Sequence, residues 1–201
     1  VSYVCPNYRV STLTHHRYDL DSTFDVAVGS KTFSLYTAVF TERSEFFRAT
    51  RKPEWLAGNP KRPVDLKEED PEVFNEYMNC FYFGAGAFKH YADDIKSCST
   101  SSRDNEIHEA FGALIRVYLL ADKLHDLATA NIAIDEIIRF SDIVNIVPRE
   151  SRVCLAYSHT AERSPLRLLM RDFWVYDMNP SGKLPLHNAP ADFLRDIALE
   201  F

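Results

Sequence analysis

Glycine is scarce in this chain, with six among 201 residues, and that removes the phosphate-cradling loops that nucleotide enzymes build from it. The one close pair, Gly84-Ala85-Gly86, lacks the third glycine and the preceding strand that a dinucleotide loop needs. No GxSxG elbow, P-loop or HExxH pair occurs, so acyl transfer, phosphoryl transfer and zinc-assisted hydrolysis have no motif to rest on. Cysteine is sparse as well. Cys5, Cys80, Cys98 and Cys154 are scattered, with no CxxC pair and no histidine at ligand spacing. They are expected to be reduced thiols of an intracellular protein, cytoplasmic or nuclear, with no metal and no cofactor. Cys80 falls in the apolar run 77–83 and reads as a buried structural thiol.

Long apolar runs are missing too. Nothing approaches the roughly 18 residues of a membrane span, and no secretory signal pattern is present. Positive charge is in deficit: 23 Lys and Arg stand against 29 Asp and Glu, a net charge of -6, so neither nucleic acid nor a membrane surface is expected as a partner. The densest basic group, Arg43, Arg48, Arg51, Lys52, Lys61 and Arg62, is interleaved with Glu42, Glu45 and Glu54 and reads as a solvated mixed face. The only Asn-x-Ser/Thr triplet, Asn179-Pro180-Ser181, carries the forbidding proline. Seven histidines, His15, His16, His90, His108, His125, His159 and His187, show no ligand or catalytic spacing and are expected mostly at the surface. An enzyme built from dispersed residues such as His108 and Asp122 is the residual alternative, so no catalytic residue is assigned.

What the chain has in quantity is aromatic rings: 14 Phe and 10 Tyr. They imply either a well-filled interior or a surface that keeps rings for a partner. The pattern along the chain supplies both kinds of place. Residues 1–23 form an arm without clear period, although 8–13 alternates weakly and is compatible with an edge strand. From Phe24, apolar residues alternate through Val28, break at Gly29-Ser30 and resume through Phe33 and Leu35, the pattern of a β-hairpin. Helical spacing follows from Ala38 through Phe47, with Ser44 placed to cap and split it into two short helices. Residues 53–62 read as a loop, and 63–66 as a short strand-like insert.

Asp70-Pro71-Glu72 is a strong helix start: a carboxylate cap, a proline where the missing N–H costs nothing, and an acid facing the positive helix end. The apolar stripe Val73, Phe74, Tyr77, Met78 and Phe81 extends it to Gly84. Residues 84–106, rich in Gly, Ser, Asp and Lys, are expected to be a mobile insertion. Ile107 to Ala121 and Leu124 to Ile138 then predict two packed helices, and three further helical patterns occupy about 149–160, 164–177 and 190–200. The fold class expected is α+β, a small mixed sheet capped by helices and followed by an all-helical extension.

In this order the chain resembles the BTB/POZ family. The resemblance rests on Phe24-Asp25-Val26-Ala27-Val28-Gly29, Phe33, Val39-Phe40 and Ser44-Glu45-Phe46-Phe47. It continues through Val64-Asp65-Leu66, Asp70-Pro71-Glu72-Val73-Phe74, Phe81-Tyr82-Phe83-Gly84 and Val117-Tyr118-Leu119-Leu120-Ala121-Asp122-Lys123-Leu124. It covers 24–138, leaving 139–201 as a helical extension similar to that of BTB proteins of filamentous fungi. The resemblance implies a non-enzymatic protein–protein interaction module that homodimerises or pairs with another protein, with Phe24, Val39, Phe40 and Phe47 as candidate anchors; taken singly, each reads first as part of the domain's own core. It also implies, as the alternative, a substrate adaptor of a cullin-type ubiquitin ligase.

Two departures bear on these roles. The family's His-Lys after the second strand is Tyr36-Thr37 here, so Asp25 lacks the basic partner that completes the charged groove of repressor-type members. Its own chemistry predicts bonds to local backbone. The apolar-x-Glu motif that cullin-recruiting members carry is absent from 55–63. Tyr82 stands where the family has a cullin-contacting tyrosine, or else closes the core at a helix end.

Overall fold

The computed structural model describes residues 22–59, 61–97, 99–177 and 186–200. The arm's strand-like stretch 8–13, His15, His16, Cys5 and Cys98 lie outside these residues. The architecture is α+β. Strands β1 (Thr23–Val28), β2 (Lys31–Tyr36) and β3 (Val64–Leu66) form a mixed sheet in the order β2-β1-β3, with β1 antiparallel to β2 and parallel to β3. The two-residue alternation of β1 buries Phe24, Val26 and Val28 and turns Asp25 outward. Gly29 makes the hairpin turn at φ 51°, and a Cβ there would come within 2.9 Å of Pro71, so both backbone conformation and space require glycine.

Helices α1 (Thr37–Arg43) and α2 (Glu45–Thr50) part at Ser44, as its capping chemistry predicts. The buried Ser44 hydroxyl accepts from the Phe47 N–H at 3.1 Å and donates to the Leu124 carbonyl at 2.6 Å. Pro53 opens a helical turn, α3 (Pro53–Leu56), where sequence reading places only a loop. Asp70 caps α4 (Pro71–Phe83), accepting from the Glu72 N–H at 2.7 Å, and α4 buries Phe74, Tyr77, Cys80 and Phe81.

Residues 84–106, expected as a mobile insertion, are largely helical. A 3-10 segment (Gly84–Phe88) leads into α5 (Lys89–Ser97), and α6 (Thr100–Lys123) begins soon after. Phe88, Ala92 and Ile95 are buried at i, i+4, i+7 spacing, which the Gly- and Ser-rich composition masks. Helix α6 packs along α7 (Leu127–Val144), and the Phe111 ring meets Phe140 edge-on at 4.9 Å. The expected domain boundary at 138/139 falls inside α7, which runs on to Asn145 at φ 54°. Beyond it α8 (Glu150–His159), α9 (Pro165–Asp172) with a wide turn (Phe173–Asp177), and α10 (Ala191–Ala198) follow the three predicted patterns. Their buried side chains, among them Val153, Leu169 and Trp174, join the core of the first domain without interruption. Among the described residues no helix is long and apolar enough to cross a membrane.

Candidate partner-binding surface

The sheet and α4 fix the position of α1 through rings. Phe40 of α1 is fully buried and stacks on Phe81 of α4, centroids 4.1 Å apart and planes 11° from parallel. Arg43, one turn further along α1, lies 3.9 Å from the Phe81 centroid and donates to the Phe81 carbonyl at 2.9 Å. Behind this pair is a buried polar centre. Asp126 caps α7, accepting from the Thr129 N–H at 3.1 Å and the Thr129 hydroxyl at 2.7 Å. It also accepts from the Tyr77 hydroxyl at 3.1 Å and from Arg43 at 3.5 Å, while Arg43 donates to the Thr129 hydroxyl at 2.8 Å. Burial first, then the Asp126 charge, pushes the Tyr77 hydroxyl pKa up. Elements α1, α4 and α7 are thereby tied at one point.

Over this rigid base the chain leaves rings in solvent. Tyr82 is 46% exposed and stands edge-on to Phe40 at 5.8 Å and to Phe81 at 5.4 Å. Tyr36, at the N-cap of α1, is 40% exposed and close enough to Tyr82 that, after burial, its charge raises the Tyr82 pKa. Phe83, the last residue of α4, is 70% exposed. Half-buried Val39 follows Tyr36 by three positions and so shares its side of α1. The result is an aromatic edge with little conformational freedom to lose on contact, since each Phe or Tyr side chain has two rotatable bonds and the backbone beneath is fixed.

The candidate residues named from the sequence divide accordingly. Phe40 and Phe47 are fully buried within the chain, and Phe24 is 6% exposed against Phe47 at 5.5 Å with the Arg51 guanidinium over its ring. In this fold these three are core and offer a partner no surface. Asp25 is exposed and accepts from the Ser34 hydroxyl across the hairpin at 2.6 Å, a side-chain partner in place of the backbone partner expected. Val39 and Tyr82 reach the surface. Exposed Tyr36 and Phe83 were not singled out from the sequence, though for Phe83 a signal existed. On a helix whose inner stripe is 74, 77 and 81, positions 82 and 83 rotate off that stripe, so rings there face outward.

Elsewhere, exposed Trp55 rims a cavity of about 170 Å³ with Phe46, Leu56 and Arg62, and a cleft of about 480 Å³ holds Asp25, Arg51 and Lys61. His108 and Asp122 do not converge. They are fourteen positions apart on α6, about 20 Å along the axis. Among the described residues no group of three or more His, Cys, Asp or Glu could hold a metal ion. Buried Cys80 has its thiol pushed up to about 12, mainly by burial, and is unreactive at neutral pH.

His108 departs from the surface position expected of it. It is buried on α6, where Arg152 of α8 donates to its carbonyl at 2.9 Å. Burial, with the Arg149 and Arg152 charges, pulls its pKa from 6.5 to about 4. The unfolded chain therefore takes up a proton that the folded chain refuses, and stability present above pH 6.5 is lost as pH falls toward 4. Asp122 and Asp135, raised by burial, act in the opposite sense, so the comparison with His108→Gln isolates the effect. Urea midpoints against pH should fall more steeply between 6.5 and 4 in the wild type than in that variant; parallel curves would exclude His108 as the cause.

No family model, curated protein or solved structure matches the chain.

Proposed function

We propose that the chain is a non-enzymatic protein–protein interaction module of BTB/POZ type that associates with itself or with another protein. An intracellular location, cytoplasmic or nuclear, without nucleic acid as partner, goes with this reading. The observation that carries it is the aromatic edge: exposed Tyr82 packed on the buried Phe40–Phe81 stack with Tyr36 close to it, and Phe83 exposed at the next position. Exposed aromatics on a rigid base have the composition of interface hot spots. The element order is consistent with it: hairpin, two short helices parted at a serine, a short strand parallel to the first, a proline-started helix and a helix pair, the order over which the sequence resembles that family. Replacing Tyr82 and Phe83 together by Ser takes away two of the three exposed rings and leaves the buried Phe40–Phe81 pair in place. Sedimentation velocity of that variant is expected to show loss of association, with a melting temperature within about 4 °C of the wild type. Association retained in full would remove this surface from consideration.

A second reading, a cullin-scaffold adaptor, is favoured by one observation: Tyr82, where family resemblance places a cullin contact, is exposed beside Phe83. Capture of the chain by an immobilised cullin N-terminal domain, abolished by Tyr82→Ala, would support it; no capture would exclude it.

A further inference from the structure

We infer that the α8–α9 face of the helical extension is a groove for an acidic amphipathic helix carrying one phenylalanine, and that α10 is its displaceable occupant in the same chain. The surface lies in the extension and is independent of the aromatic edge. Three features of the seat define its chemistry. Phe193 is the buried residue of α10, fully enclosed, with its ring edge-on to Tyr157 at 5.3 Å and to Trp174 at 5.6 Å. Acids stand one residue before it and three and seven after it, a spacing of four that lines one face. Each meets a cation or a hydroxyl: Asp192 lies 3.8 Å from Arg167, Asp196 accepts from the Tyr157 hydroxyl at 3.0 Å, and Glu200 lies 2.8 Å from Arg171.

The groove is prepared for that pattern. Buried Arg167 is held by the Tyr157 carbonyl at 2.6 Å, by the Thr160 carbonyl and by the Thr160 hydroxyl at 3.1 Å, with its guanidinium 4.7 Å from the Tyr157 ring centroid. Arg171 is oriented by Asp172 at 2.6 Å. Both cations thus have partners outside α10 that hold them in addition to its acids. The occupant itself is weakly committed. Eight residues are too few to hold a helix alone, the anchor is one buried ring with half-buried Ile197 one turn on, and the acids are partly solvated pairs. A cavity of about 370 Å³ opens beside it, lined by Arg163, Leu168 and Leu199 among others. Amphipathic helices are recognised in grooves by apolar anchors one turn apart, here Phe193 and half-buried Ile197, and the acids add the charge pattern.

The probe is a fluorescent peptide of residues 186–200, titrated by anisotropy against the full 201-residue chain. The wild type, whose groove is filled at high effective concentration, should bind it at least about tenfold more weakly than the Phe193→Ala chain. Neutralising the peptide's acids (Asp192→Asn, Asp196→Asn, Glu200→Gln) should cost about tenfold. Phe193→Ala in the peptide should cost roughly a hundredfold. Circular dichroism checks that the Phe193→Ala chain is folded; if it is not, the Asp192→Lys/Glu200→Lys chain, which unseats α10 by charge alone, must show the same gain. Equal binding by wild type and vacated chain, or no loss on neutralising the acids, overturns the inference.

Discussion

Phe40→Ala is expected to destabilise the chain by about 3–5 kcal/mol, lowering the melting temperature by roughly 10 °C. The ring it removes touches Phe47 at 5.9 Å, Phe81 at 4.1 Å and Tyr82 at 5.8 Å, and the side chain is fully buried. The space cannot refill. Phe81 is pinned by Arg43 at ring and carbonyl, and Phe47 is held by its N–H to the Ser44 cap. The same measurement separates a core ring from one shared between two copies. Loss of a core ring lowers stability equally at every chain concentration, whereas a shared anchor gives a deficit that shrinks with dilution, as both chains become monomeric. A concentration-independent deficit is predicted. A loss below about 1 kcal/mol, smaller than Phe→Ala changes give in packed cores, would contradict the packing described.

Asp126→Ala should be nearly as severe, about 3–5 kcal/mol by equilibrium urea unfolding. The carboxylate is wholly enclosed and serves four donor contacts from three directions: the Thr129 N–H and hydroxyl, the Tyr77 hydroxyl and Arg43. Its removal leaves the buried Tyr77 hydroxyl without its acceptor, takes the counter-charge from Arg43, which keeps the Phe81 carbonyl and the Thr129 hydroxyl, and takes the cap from α7. Leaving one member of such a set buried and unpaired costs more than the set contributes when whole. Asp126→Asn, which keeps an oxygen for capping, should lose about half as much. If alanine and asparagine are both within 1 kcal/mol of the wild type, the polar centre does not join α1, α4 and α7 as described.

How much of this was legible in the sequence follows from the range of the interactions involved. Asp70, Ser44 and Ser164 act within three residues on their own helix starts, so their caps could be read directly. The hairpin was readable because its alternation is local and Gly29 marks its turn. The polar centre was not, since Arg43 and Asp126 are 83 positions apart and nothing near either announces the other. Composition misled at 84–106, where small polar residues hid the spacing of Phe88, Ala92 and Ile95. The anchors misled for a different reason. Phe24, Phe40 and Phe47 have the chemistry of both core and interface, and only the position of α4 over α1 assigns them to the core. Tyr82 and Phe83 leave that core because an α-helix cannot turn the four consecutive apolar residues 80–83 all inward.

The partner expected first on the aromatic edge is a second copy of the chain. Static light scattering of the purified wild-type chain at tens of micromolar tests it most directly. A mass near twice the 23.1 kDa of one chain, falling toward that value on dilution and in the Tyr82→Ser/Phe83→Ser variant, is the expected result. A wild type that stays at 23.1 kDa across the concentration series, or a dimer indifferent to loss of both rings, would contradict it.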